Sequence, residues 1–144
     1  MIRVLVVDDH ARMRKSIRTL LERSGEVRVV GEAEEGKEAL YQIDNLQPDV
    51  VILDISMPGM NGFEVLSAIS LQEEPPHVVM LSMNDSTDLI RRALAGGAAE
   101  FISKSEAGSR LLPALRRVAG GGDEPSPAGG QINLLGLVAV LAAL

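Results

Sequence analysis

Short apolar runs alternating with longer amphipathic stretches constrain this chain more than any other feature. The runs are Ile2 to Val7, Val27 to Val30, Val50 to Leu53, Val78 to Leu81, and Phe101 to Ile102. They are mostly β-branched or aliphatic and only a few residues long, as strands of a buried parallel sheet are. Between them, Met13, Ile17, Leu20 and Leu21 recur at helical spacing and make one apolar face. Leu40, Ile43 and Leu46 repeat that pattern, as do Leu66 and Ile69, then Ile90, Ala93 and Leu94, and finally Leu111, Leu112, Leu115 and Val118. Five strands alternating with five helices predict an α/β fold, a doubly wound parallel sheet covered on both faces. No internal repeat interrupts the alternation.

Turn residues support these boundaries. Gly25 and Gly97 follow helical patterns where a left-handed cap belongs. Pro58, Gly59, Asn61 and Gly62 mark a loop after the third strand. Pro113 falls inside the fifth helical pattern and removes one donor, so a late start or a local distortion is expected there. Aromatic residues make up only 2% of the chain, which leaves Val, Ile, Leu and Ala to fill the core. With no cysteine, disulfides and thiolate metal sites are excluded.

The polar exceptions fall at one place in this pattern. Asp8 and Asp9 end the first strand, Asp54 the third, Ser82 the fourth and Lys104 the fifth. In an open parallel sheet the C-terminal strand ends share an edge, and ligands bind there at the topological switch point. The strand order 2-1-3-4-5, the commonest for five strands, makes the first and third strands neighbours and sets Asp9 beside Asp54. Two carboxylates ~5 Å apart repel by about 3 kcal/mol at an effective dielectric of 20. One lysine cannot neutralise three carboxylates, so a divalent cation is the natural partner. All-oxygen donors select a hard ion, and Mg2+ tolerates few protein ligands. A carboxylate so placed can also act as a nucleophile and form an acyl phosphate.

VDD near the start, LDISMPGMNG around Asp54, LSMND at 81–85 and FISK at 101–104 together resemble a response-regulator receiver domain. The resemblance covers roughly residues 2–119 and is strongest to receivers of helix-turn-helix (LuxR-type) transcriptional regulators. It implies a CheY-like, flavodoxin-like fold and phosphorylation of Asp54 by a sensor histidine kinase. It further implies Mg2+ held by Asp9, Asp54 and the Ser56 backbone carbonyl, with Asp8 acting through water. Ser82 and Lys104 match the hydroxyl and lysine that meet the phosphoryl oxygens, and Phe101 matches the aromatic switch residue. The bland readings are a helix cap for Ser82, Asn84 or Asp85, a core aromatic for Phe101, and a surface lysine for Lys104. His10 is read as loop structure.

Two departures from the family pattern matter. Ser105 follows Lys104 where many receivers have a cis proline, and a non-proline cis bond costs ~2.5–4 kcal/mol. Either the loop is trans or the fold sustains that strain. Met83 is bulkier than the small residue common beside Ser82, which raises the question of narrowed access. Arg91, Arg92, Arg110, Arg116 and Arg117 lie on the fourth and fifth helical patterns and are candidates either for a partner face or for a solvated one.

Composition changes after Ala119. Residues 120–130 read as a flexible Gly/Pro linker and 131–144 as an apolar tail. A helix of about 13 such residues would be roughly 20 Å long, short of a ~30 Å hydrocarbon core, so no membrane span is expected. The tail could dock on another chain, pack on the domain, or be a remnant of truncation or frame change. Net charge is −6 and the chain has no room for a basic helix pair, so no DNA binding is expected of it, although receivers of this kind usually precede a DNA-binding domain. The expectation is therefore a cytoplasmic receiver (residues 1–119) that catalyses only its own phosphoryl transfer and dephosphorylation, with a kinase and a second copy of itself as candidate partners. Two alternatives stand beside it. One is a Mg2+-dependent phosphohydrolase with an aspartyl nucleophile, which would normally carry a second acid where Ser56 stands. The other is an unphosphorylated protein-binding module.

Overall fold

The computed structural model describes residues 1–120 of the protein. Five strands, β1 (Ile2–Val7), β2 (Val27–Ala33), β3 (Val50–Asp54), β4 (His77–Ser82) and β5 (Glu100–Ser103), alternate with five helices. These are α1 (Ala11–Glu22), α2 (Gly36–Leu46), α3 (Gly62–Ser70), α4 (Thr87–Ala95) and α5 (Ala107–Leu115). All neighbouring strands pair in parallel, in the order β2-β1-β3-β4-β5. The expected doubly wound architecture is the one observed. The linker expected at 120–130 and the tail expected at 131–144 lie, from residue 121 onward, outside the described residues.

Successive residues of each strand point to opposite faces, and this builds two cores from one sheet. Leu5, Val7, Val51, Leu53 and Met80 pack toward α2, α3 and α4, against Ala39, Ile43, Val65, Leu66, Ile69 and Ala93. Val4, Val6, Val50, Ile52, Val79 and Leu81 face α1 and α5, against Ile17, Leu21, Leu111, Ala114 and Leu115. Each fully buried aliphatic side chain contributes about 2 kcal/mol. Both faces being covered explains why β3 and the second half of β1 show no polar alternation.

The strand limits expected from apolar runs hold at β1 and fall short elsewhere. β2 runs to Ala33 rather than Val30, because its register slips between Val4 and Leu5. Val29 pairs with Val4 and Gly31 with Leu5, leaving Val30 as an extra residue on this edge strand. Pairing then continues through Gly31 and Glu32, which an apolar criterion discards. The other strands gain their polar end residues, His77 and Ser82, Asp54, and Glu100 and Ser103.

Gly25 and Gly97 take positive φ angles of 74° and 107°, as their position after helices requires. Gln47 also adopts a left-handed conformation at the end of α2 (φ 47°). Pro48 follows it and disfavours a helical preceding residue. α5 does not start late: it begins at Ala107, directly after a 3-10 turn at Lys104–Glu106, and carries Pro113 inside it. The distortion comes after the proline, where the chain widens into a π-helical turn at Arg116–Gly120.

Candidate active site at the C-terminal sheet edge

Asp8, Asp54 and Ser82 are the buried polar residues of the domain, at 1%, 2% and 4% exposure. The strand order brings them together, because β1 and β4 both flank β3. Lys104, on the turn after β5, reaches across the sheet edge. Its Nζ lies 2.9 Å from Asp8 Oδ2 and 3.3 Å from Asp54 Oδ1. The backbone N–H of Ser56 donates to Asp54 Oδ1 at 3.2 Å. Asp54 Oδ2 and Asp9 Oδ1 are buried without a hydrogen-bond partner among the described residues, although Asp9 Oδ1 faces the His10 ring at 3.1 Å.

Burial pushes the Asp54 carboxyl up to about 6, and the neighbouring Asp8 charge pushes the same way against the pull of Lys104 and the Ser56 N–H. Burial alone would lower the Lys104 ammonium, but the Asp8 contact and the charges of Asp54 and Asp8 hold it above its ordinary value. A cluster with more negative charge than its lysine offsets, and with unpartnered carboxylate oxygens, is what a hard cation site needs. The donors of Asp8, Asp9, His10 and Asp54 all lie within 4.8 Å of one another.

The loop is held from behind. Arg14 of α1 donates from Nη1 to the Asp8 carbonyl at 2.6 Å and from Nε to Glu32 Oε1 at 3.0 Å, tying the acidic loop to β2. Arg18 joins the same carboxylate, 2.8 Å from Glu32 Oε2. On the far side, Gly62 opens α3 directly under the end of β3. A Cβ there would collide with the Asp54 carbonyl and the Ile55 backbone. Asn61 and Glu64 cap α3 reciprocally, through 3.0 and 3.1 Å bonds.

Asp8, Asp9, Asp54 and Lys104 are thus one cluster, as the strand pattern anticipates. Ser82 sits at the same edge, where its hydroxyl accepts from the Asn84 N–H at 3.0 Å. It does not cap α4, and neither does Asn84 or Asp85: the cap is Ser86, which accepts from the Leu89 N–H at 3.3 Å. Phe101 is half-buried and packs against the core beneath α2–α4. The Lys104–Ser105 bond is trans, since the described residues include no cis peptide. Met83 is 83% exposed, so it does not pack over the cluster. His10, read from sequence as loop structure, stands in the β1–α1 loop, where its backbone N–H donates to Asp8 Oδ1 at 2.8 Å, and it also faces the acidic cluster, with Nδ1 3.2 Å from the same oxygen.

An open cleft of about 600 Å³ adjoins the cluster, lined among others by Asp9, His10, Ser56, Phe63 and Arg92. A larger hollow of about 870 Å³ lies at the opposite edge of the sheet, among Met1, Gly25, His77 and Arg116, and includes none of the cluster's residues. The arginines considered for a partner face have partners within the domain. Arg116 pairs with Glu26, Arg117 with Glu100, Arg110 with Glu106 and Arg91 with Asp88, while Arg92 lies 4.0 Å above the Phe63 ring.

A doubly wound sheet of this order, with three acids and a lysine at its C-terminal edge, defines a class of phosphoacceptor signalling domains. The response regulator receiver domain model matches residues 4–116, and the chain belongs to that family, whose function is phosphorylation-based two-component signalling. It is 40% identical over 126 residues to the "Probable transcriptional regulatory protein NarL" of Mycobacterium tuberculosis, covering 88% of this chain and 58% of that protein. The chain thus spans under two thirds of that relative's length. The signal receiver domain of NarL from Mycobacterium tuberculosis superposes with a TM-score of 0.72 at 39% identity, over 80% of this chain and 96% of that one. CheY from Borrelia burgdorferi, in a complex with CheX, BeF3 and Mg2+, superposes with a TM-score of 0.75 at 31% identity, over 81% and 88% of the two chains. No described helix is long and apolar enough to cross a membrane.

Proposed function

We propose that the chain takes a phosphoryl group from a sensor histidine kinase onto Asp54, with Mg2+ bound beside it. The observation that carries this reading is the Asp54 carboxylate: 2% exposed, its Oδ1 facing Lys104 and its Oδ2, in an acidic cluster, without a partner among the described residues. The carboxylates of Asp9 and Asp54 and the carbonyl of Ser56 would hold the ion, with Asp8 contributing through water. Bound there, the ion supplies positive charge against which the transferring oxygens are neutralised. Similarity to CheY of Borrelia burgdorferi, whose complex contains BeF3 and Mg2+, supports a Mg2+-dependent phosphoryl site here.

Each of the chain's own groups then has a task. An Asp54 oxygen attacks phosphorus, the new O–P bond forms as the P–N bond to the donor imidazole breaks, and the imidazole takes a proton from solvent. Lys104 is placed to follow its carboxylate partner's charge onto the phosphoryl group. The Ser82 hydroxyl keeps its own proton free to donate toward a phosphoryl oxygen, because it accepts from the Asn84 N–H. Movement of the Ser82 loop, with Phe101 repacking beneath it, would be the two-state element that phosphorylation biases. The chain in this reading catalyses only its own phosphorylation and dephosphorylation. Its output would run through partner or homodimer contacts in the cytoplasm, as the receiver part of a transcriptional regulator. Similarity to a transcriptional regulatory protein of which it spans 58% supports that role.

Beryllofluoride with Mg2+, or acetyl phosphate with Mg2+, is expected to shift backbone NMR resonances around Ser82 and Phe101 or to change the oligomeric state. An equal response from Asp54→Asn overturns the proposal.

A further inference from the structure

His10 ends the β1–α1 loop with 69% of its side chain exposed, yet Nδ1 turns inward. It lies 3.2 Å from Asp8 Oδ1 and 3.1 Å from Asp9 Oδ1. The ring does not cap α1, whose N-terminus has no side-chain cap bond at His10. Two donors bound side by side to one ion at about 2.1 Å stand about 3 Å apart. The Nδ1–Asp9 spacing therefore matches a shared ion as well as it matches a local hydrogen bond. A separate observation points to the same place: Asp54 Oδ2, on a side chain 2% exposed, has no partner among the described residues, and all four residues' donors lie within 4.8 Å. Asp8 Oδ2 is already taken by Lys104, so the open donors are on the Asp9 side, where His10 stands.

We infer that His10 is an additional metal donor, which makes the acidic site a binder of borderline first-row divalent ions such as Co2+ and Ni2+ as well as Mg2+. The inference rests on the metal reading of this cluster given above. Imidazole strengthens binding along the series toward Ni2+ and adds little for Mg2+, which prefers oxygen and water. A cluster of carboxylates alone discriminates less between them.

Calorimetric titration of the full chain with MgCl2, CoCl2 and NiCl2 tests this. A His77→Ala background is used, because His77 is the chain's other imidazole and lines the hollow at the opposite sheet edge. His10→Ala is expected to weaken Co2+ and Ni2+ by about tenfold or more and Mg2+ by about threefold at most. A Co2+ to Mg2+ affinity ratio that stays within about twofold of the parent protein's would show His10 to be no more than a loop hydrogen bond and would overturn the inference. If Asp9→Asn and Asp54→Asn leave the binding of all three ions unaltered, the underlying metal reading falls with it.

Discussion

The ammonium of Lys104 lies 3.3 Å from Asp54 Oδ1, with the lysine side chain 8% exposed and the aspartate 2%. This contact does more than pair two charges, because the same nitrogen is 2.9 Å from Asp8. Among the described residues, Lys104 is the one cation within 4 Å of both buried acids, so its loss leaves like charges facing each other. Removing one partner of a fully buried pair costs about 3–5 kcal/mol. Here Asp54 can relieve the strain by taking up a proton, so Lys104→Met is expected to cost about 2–3 kcal/mol at neutral pH. Urea unfolding without added metal would measure it, and part of the loss should return on acidification toward pH 5.

The Asp54 carboxyl is held near 6 by burial and by Asp8, against an ordinary value of 3.8. A folded-state pKa above the unfolded one means that this group's contribution to stability is full below about 3.8 and lost as pH rises through about 6. Without metal, Asp54→Asn should therefore be more stable than the parent chain at pH 7, by on the order of 2 kcal/mol. The difference between the two should shrink as pH falls from 7 to 5. Paired unfolding curves at those pH values give the sign directly.

Gly62 is the residue that lets α3 begin against the end of β3, where Asp54 stands. A Cβ there meets the Asp54 carbonyl and Ile55 backbone, neither of which can move without displacing the site. Gly62→Ala is expected to destabilise the domain by about 2 kcal/mol or more, and to slow phosphorylation beyond what that loss explains. Acetyl phosphate labelling at a temperature where the variant is still folded separates the two effects.

Arg14 should matter to metal binding without touching metal. Its 2.6 Å bond to the Asp8 carbonyl and its Glu32 pairing hold the Asp8–Asp9 loop. Arg14→Met is expected to weaken Mg2+ about tenfold, in the manner of other residues that orient ligands. Retained Mg2+ affinity in a folded Arg14→Met protein would contradict that role.

The parts of this structure that follow local periodicity were legible in the sequence. Ile17 and Leu21, spaced one turn apart, are buried as the helical pattern requires, and Asp54 and Lys104 meet because a parallel sheet gathers strand ends. What depended on pairing between distant segments was not. The extra residue Val30 belongs to the β1–β2 register, and no property of residues 27–33 alone reveals that Gly31 and Glu32 remain in the strand. His10 was read as loop structure because the receiver resemblance assigns it no role. Its position follows from the direction the chain takes after Asp9. Arg14 and Glu32 are 18 residues apart, and their contact exists only once α1 lies against the sheet. Ser82, Asn84 and Asp85 were the cap candidates after β4, and Ser86 holds the cap because α4 starts at Thr87.

Phosphoryl transfer is the most direct test of the central reading. The full chain is incubated with acetyl phosphate and Mg2+, and the labelled residue is identified by mass spectrometry of borohydride-trapped protein. One phosphoryl group is expected, located on Asp54, absent from Asp54→Asn and strongly reduced when EDTA removes the metal. Equal labelling of Asp54→Asn, or labelling indifferent to metal, would contradict it.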